Sequence, residues 1–425
     1  MIINPINRVN GELRTPPDKS ISHRAIILSS ISNGNNKISN FLFSKDTYMT
    51  LNAMRKLGIN IETNSAAKEV YVQGKGLYDL RPASRIYCGN SATTMRLLAG
   101  LLSGQKFSSY LFGDDSLNRR PMERIKKPLT LMGANINLTD GHAPIFIRPS
   151  NLEAINYHMQ IPSAQVKSSI LLASLYTKGI TKIQEPILTR NHTEIMLEYL
   201  NCNIGSKENE IQITNPNTLI SKDIFVPGDI SSAAYFIALA LITDESSLII
   251  RDVGVNKTRT HILELWKKMG GKIEIINKRN FNGEDVSDIV VKSSKLKGIV
   301  LSEEDVSLCI DEIPILAVTA AFAQGETKIY GAKELRVKES DRLYLTYTNL
   351  KNMKAHVEID ENNLSIVGGN EIFGSDIETQ KDHRIAMAFT IASLRAVGSS
   401  VIKDYSSVEI SYPNFYEDLN KIIEY

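Results

Sequence analysis

Cysteine is scarce in this chain, with only Cys88, Cys202 and Cys309 among 425 residues. They are odd in number and far apart, and neither a CxxC pair nor an HExxH stretch occurs. Neither a disulfide framework nor a zinc site is therefore expected. Charge of one sign is lacking too: 49 Lys and Arg stand against 47 Asp and Glu, a formal net charge of +2. That leaves no global basic field to draw in a nucleic acid or an anionic membrane. The longest apolar run, Ala233 to Ile242, is too short to cross a bilayer. The opening residues Met1-Ile2-Ile3-Asn4-Pro5 lack a charged segment leading into an apolar one, so no secretory leader is expected and a reducing cytoplasm fits best. No GxxxxGK[ST] loop, strand–GxGxxG–helix unit or GxSxG elbow is present. A nucleotide cofactor and an elbow serine nucleophile are accordingly not indicated.

What is there is ordinary globular material, 42% hydrophobic and 23% charged, enough for two or more cores. It is organised by recurring helix starts. Thr15-Pro16-Pro17 ends one element, and Asp18-Lys19-Ser20 opens a helix whose apolar residues Ile21, Ala25, Leu28 and Ile31 recur at helical spacing. Asp18 or Ser20 can cap it. Similar starts follow at Gly89-Asn90-Ser91, Pro162-Ser163-Ala164, Gly228-Asp229-Ile230, Asp311-Glu312-Ile313 and Lys381-Asp382-His383. A second marker keeps the same phase. Met54 to Ile61 resembles Leu129 to Ile136 and Leu263 to Ile273, with weaker copies at Met196 to Ile204, Tyr347 to Val357 and Phe415 to Ile423. These read as amphipathic helices ended by a glycine-type cap and followed by a strand.

The chain is thus read as six α/β units, three before residue 228 and three after it. Two domains are expected, one of residues 15–227 and one of residues 1–14 with 228–425. They would hinge near 13–17 and 224–228, with a cleft between.

Cations cluster at these starts and in loops: Lys19, Arg24, Arg96, Arg120, Arg190, Arg336, Lys338, Arg342 and Arg384. Helix N-termini bearing cations favour anions, and several such places converging would suit a substrate with more than one anionic group. Ser20, Ser91, Thr93 and Ser163 suit phosphate or sugar oxygens. Two acids stand out. Asp311 opens an apolar helix and is either an N-cap or a proton acceptor; Glu339 either pairs with Arg342 three residues on or carries a proton. His383 is a proton carrier or simply the first residue of a helix.

The stretches DKSISHR (18–24), GNSATTMRLL (89–98), SLNRRPM (116–122) and LRVKESDRL (335–343), with 162–167, 228–236 and 382–384, closely resemble the EPSP synthase (3-phosphoshikimate 1-carboxyvinyltransferase) family over essentially the whole chain. The resemblance implies two domains of three βαβαββ units each. It also implies transfer of the enolpyruvyl group of phosphoenolpyruvate to the 5-hydroxyl of shikimate 3-phosphate, in aromatic amino acid biosynthesis, without metal or cofactor. Lys19, Ser20, Arg24, Ser163, Ala164, Gln165, Arg190, Asp311 and Lys338 would bind shikimate 3-phosphate. Lys19, Asn90, Ala92, Arg120, Gln165, Arg342 and Arg384 would bind phosphoenolpyruvate. Asp311, Glu339 and Lys19 would be the catalytic groups. A monomer is implied, with no nucleic-acid or membrane partner.

Two departures stand out. Ala92 lies where many members have glycine, which narrows the phosphoenolpyruvate pocket and implies weaker inhibition by glyphosate. Ile410-Ser411-Tyr412-Pro413 lacks the lysine that some members carry there. The sister enzymes acting on UDP-N-acetylglucosamine place a cysteine in the loop where this chain has Asp114 to Arg119. The intact set Lys19, Asp311, Glu339, Arg342 and Arg384 argues against a non-catalytic binding relative, and no basic-aromatic stretch supports an RNA-phosphate-cyclase-like activity.

Overall fold

The pair Pro16-Pro17 marks the first passage of the chain from one compact unit to another. The computed structural model describes residues 1–425. Its C-terminal unit comprises Met1–Pro16, Pro227–Arg279 and Asp285–Tyr425; its N-terminal unit comprises Pro17–Val226 with the short segment Asn280–Glu284.

The second copy in the N-terminal unit shows the building plan. Strand Ile86–Tyr87 leads to helix Ala92–Ser103, strand Ser109–Phe112, helix Glu123–Leu131 and the hairpin Asn135–Thr139/His142–Arg148. Ile86 lies parallel to Leu111, while the other pairs are antiparallel. A parallel pair needs a crossover, which the first helix supplies. The third copy repeats the order with Asn156–His158, Ile180–Gln184, Glu210–Thr214 and Ile204–Lys207. The first copy takes its edge strand from the end of the unit, where Ile224–Phe225 runs parallel to Asn33–Ser39.

The C-terminal unit follows the same plan in Val300–Leu301, Gly325–Ile329, Asn363–Gly368 and His356–Asp360. The chain's first residues complete its other two sheets. Arg8–Arg14 runs parallel beside Ser247–Gly254 and antiparallel to the edge strand Ile423–Glu424, and Ile2–Ile3 pairs antiparallel with Ser400–Ile402. The six α/β units expected from the repeat are therefore present, each with its own small sheet, in keeping with the βαβαββ pattern that the family resemblance implies.

Each copy buries one helix almost throughout, most of its residues being apolar or small. In Lys19–Ser30 every residue from Ile21 onward is buried, and in Ile230–Ile242 all are. The sheets turn alternate residues inward, among them Val70 and Val72, Ile145 and Ile147, Ile211 and Ile213. Helices Ala92–Ser103 and Ala164–Ser174 approach so closely at Gly100 that a Cβ there would lie 2.0 Å from the Ser169 carbonyl oxygen. The second helix of five copies ends in a left-handed residue: Gly58, Gly133, Gly270, Asn201 and Lys354, with φ of +89°, +91°, +97°, +64° and +65°. Each donates its N–H to the carbonyl three residues back. The sixth copy, Phe415–Asn420, closes without one, at Lys421 with φ −74°.

Hairpin Lys272–Phe281/Glu284–Lys292 belongs to a C-terminal-unit sheet, yet its tip groups with the N-terminal unit. There Asn282 Oδ1 accepts the Phe225 N–H at 2.9 Å, the rings of Phe281 and Phe225 lie 4.9 Å apart, and Glu284 Oε1 meets His192 Nδ1 at 2.6 Å. No helix is long and apolar enough to cross a membrane.

Candidate active site

The expected site residues divide between the two units. In the N-terminal unit, Asp18 caps helix Lys19–Ser30 by accepting from the Ile21 N–H, which leaves Lys19 and Ser20 in the first turn. Neither Lys19 nor Arg24 is a freely solvated surface charge. Lys19 Nζ lies 3.0 Å from Asp46 Oδ2, its side chain 18% exposed. Arg24 is buried and donates to Thr193 Oγ1, the Ser20 carbonyl and Ser168 Oγ at 2.7, 3.0 and 2.8 Å. Their charges add to burial in holding the His23 imidazole well below its usual pKa, burial being the larger cause.

The second and third copies contribute through their own caps. Ser91 and Ser163 accept from the N–H groups of Thr94 and Val166. That sets Asn90 just outside one helix start, Ala92 at its first position, and Ala164 and Gln165 at the next. Asn90 donates to both oxygens of Asp114 at 3.1 and 2.9 Å and accepts from Arg120 at 2.6 Å. Gln165 is gripped at both ends, accepting from Arg96 at 2.5 Å and donating to Thr93 at 2.9 Å. Arg190 lies half-buried in the loop before helix His192–Tyr199.

In the C-terminal unit one guanidinium organises the site. Arg342 is 1% exposed and touches three carboxylates: Asp382 Oδ2 at 2.8 Å, Asp311 Oδ1 at 3.4 Å and Glu339 Oε2 at 2.5 Å. Burial opposes its charge, but Asp382 and Glu339 outweigh that, and its pKa is raised. Asp311 also faces Lys338 Nζ and Arg384 Nη2, each at 3.6 Å. Arg384 is braced by the Asp311 carbonyl at 3.0 Å and by Glu312 at 3.5 Å. Glu312 accepts in turn from Ser231, which accepts from Arg259 at 2.7 Å.

One expectation is corrected. Asp311 neither opens a helix nor caps one; it lies in the 3₁₀ turn Ile310–Glu312, and the α-helix starts at Ile313. Pro314, with its fixed φ and missing N–H, suits the first turn of that helix and starts it two residues late. Arg336 stands apart from the Arg342 group, bonded to Asp341 at 2.8 Å, to Asn362 at 3.3 Å and to the Glu361 carbonyl. His383 is the first residue of its helix, capped by Asp382. The sequence reading missed the acids that hold the cations, namely Asp46, Asp114, Glu312 and Asp382. Asp382 and Glu312 carried a local signal, each as the polar residue before an apolar helix.

The two units thus carry cation-rich helix starts of the kind that binds anions, and one adds three carboxylates on a shared guanidinium. The same architecture occurs in the enolpyruvyl transferase NikO from Streptomyces tendae, with a TM-score of 0.80 over 99% of this chain and 96% of that one. At 19% identity that likeness concerns the fold alone. An EPSP synthase from Acinetobacter baumannii superposes with a TM-score of 0.89 at 42% identity, covering 99% and 97% of the two chains. The 3-phosphoshikimate 1-carboxyvinyltransferases of Thermodesulfovibrio yellowstonii and Endomicrobium trichonymphae are 46% and 45% identical, over 99% and 98% of both this chain and theirs. The family model for EPSP synthase (3-phosphoshikimate 1-carboxyvinyltransferase) matches residues 3–419. The chain belongs to that family and is a transferase.

Proposed function

We propose that the two sets of side chains serve one reaction, transfer of the enolpyruvyl group of phosphoenolpyruvate to the 5-hydroxyl of shikimate 3-phosphate, on the way to the aromatic amino acids. Lys19, Ser20, Arg24, Ser163, Ala164, Gln165, Arg190, Asp311 and Lys338 hold shikimate 3-phosphate. Lys19, Asn90, Ala92, Arg120, Gln165, Arg342 and Arg384 hold phosphoenolpyruvate. The observation that carries the reading is the attachment of Asp311 and Glu339 to the single buried guanidinium of Arg342.

An addition–elimination needs such a pair. Glu339 gives a proton to the methylene carbon while the 5-hydroxyl oxygen attacks the neighbouring carbon and its proton passes to Asp311. The tetrahedral intermediate then loses phosphate, which carries off the hydroxyl proton held by Asp311, and a proton of the new methyl group returns to Glu339. Lys19, Arg120 and Arg384 offset the charge of the leaving phosphate. No step calls for a metal or cofactor. The reading extends to a cytoplasmic monomer, and three free, buried cysteines accord with a reducing compartment.

Release of phosphate on mixing the protein with shikimate 3-phosphate and phosphoenolpyruvate tests the reading. No release, or release only with UDP-N-acetylglucosamine as acceptor, overturns it.

A further inference from the structure

Helix Ala164–Ser174 is buried from Val166 onward, with Val166, Ile170, Leu171 and Leu172 in the core, yet it carries Lys167 at 1% exposure. A buried ammonium is costly to desolvate, and an apolar side chain of similar size would pack at least as well. Stability of the core does not account for it. Its contacts do. All three donors of the ammonium are taken, by Glu185 Oε2 at 2.8 Å, Glu194 Oε1 at 2.7 Å and the Thr189 carbonyl at 3.2 Å. Glu185 follows strand Ile180–Gln184, Glu194 sits in the first turn of helix His192–Tyr199, and Thr189 lies between them. One point charge therefore ties both ends and the middle of the loop that carries Arg190.

The free oxygen of Glu185 closes the loop on itself by accepting from Thr189 Oγ1 at 2.5 Å. Beyond Arg190, Thr193 Oγ1 receives Arg24 Nε at 2.7 Å and meets Ser168 Oγ at 2.7 Å. Arg24 and the Arg190 loop are thus fastened to the same short stretch of helix Ala164–Ser174.

We propose that the buried cluster Lys167–Glu185–Glu194 with Thr189 is a positioning device for Arg190, set so that the phosphate of shikimate 3-phosphate meets a guanidinium whose backbone is already in place. This rests on the reading of Arg190 given above. A loop held in its bound conformation loses little entropy when the anion arrives, so the cluster acts on affinity for the phosphorylated acceptor. Phosphoenolpyruvate, bound by other groups, is indifferent to it.

The test is steady-state kinetics of phosphate release with each substrate varied in turn. Thr189→Val removes the bond to Glu185 with almost no change of shape, and a lost hydrogen bond to a charged group predicts a rise in KM for shikimate 3-phosphate of about tenfold. KM for phosphoenolpyruvate stays within about twofold, because a selective change is what positioning one ligand group implies. Thr189→Ser, which keeps the hydroxyl, restores the wild-type KM. Lys167→Met shows a larger rise of the same selectivity; if it does not fold, the Thr189 pair decides. Equal changes in both KM values, no change in either, or identical behaviour of Thr189→Val and Thr189→Ser overturns the proposal. Wild-type protein inactive with these two substrates defeats the underlying reading instead, and that is seen before any variant is made.

Discussion

Nε of Arg342 donates to Oδ2 of Asp382 at 2.8 Å, with side-chain exposures of 1% and 0%. The pair joins the helix Arg342–Asn352 to the start of His383–Ser393, because Asp382 also caps the latter by accepting from the Arg384 N–H at 2.9 Å. Breaking a buried ion pair from one side leaves an uncompensated charge, at a cost on the order of 3 kcal/mol. Asp382→Asn should lower the unfolding free energy measured by urea titration by about that much and raise KM for phosphoenolpyruvate. Unchanged stability would show that Arg342 finds enough charge in Asp311 and Glu339 alone.

The two proposed proton carriers should separate chemistry from binding. Glu339→Gln and Asp311→Asn keep shape and hydrogen bonding but cannot cycle a proton, so kcat should fall roughly 10²- to 10⁴-fold. KM for either substrate should change far less. A variant retaining most of its turnover removes that residue from the mechanism.

Ala92 is the first residue of its helix and 7% exposed, and its methyl borders the proposed phosphoenolpyruvate site. One methyl group in a close pocket is worth about 10- to 200-fold in discrimination. Ala92→Gly should therefore lower the inhibition constant of glyphosate by at least about tenfold. Equal inhibition of both forms would place the methyl outside the inhibitor's reach.

The depressed His23 pKa makes stability depend on pH in a defined direction. Folded, the imidazole stays neutral well below its usual value of 6.5, because burial, and then Lys19 and Arg24, oppose the charge. The unfolded chain takes up that proton as pH falls below the usual value, so the contribution is complete above it and lost below it. Unfolding free energy from urea titrations should carry up to about 1.4 kcal/mol per pH unit from this group on the acid side. His23→Asn should remove that part of the slope. Identical slopes for the two proteins would count against a neutral His23.

Lys354 is the one residue with a long side chain among five equivalent left-handed helix ends, at φ +65° where three of the others are glycine. Lys354→Gly should raise stability by about 0.5–1 kcal/mol, as relief of left-handed strain typically does. A drop in melting temperature would mean that the lysine side chain contributes more than its backbone costs.

How far the chain can be read without coordinates follows from the range of the interactions involved. Caps and left-handed ends are local chemistry, so Asp18, Ser91 and Ser163 are legible as helix starts and Gly58, Gly133 and Gly270 as helix ends. Together they expose the repeat and hence the fold. Pairing across distance is not legible. Lys19 meets Asp46, Asn90 meets Asp114, and Arg342 meets Asp382, over gaps of 27, 24 and 40 residues that no spacing rule connects. Lys167 is visible as a lysine one turn ahead of the apolar run Ile170 to Ala173, but its meaning needs the loop it holds. Asp311 was misplaced because the turn before Pro314 is set by a helix that begins late.

The tip Asn280–Glu284 changes what counts as a module in this gene. It satisfies the Phe225 N–H and supplies the acid opposite His192, although its codons lie far downstream of residue 226. A fragment ending at Val226 would lack the amide that accepts the Phe225 N–H and the acid that meets the His192 ring. Exchange of halves between homologous genes must carry those five residues along, so the smallest heritable cassette for the N-terminal unit is not one continuous reading frame.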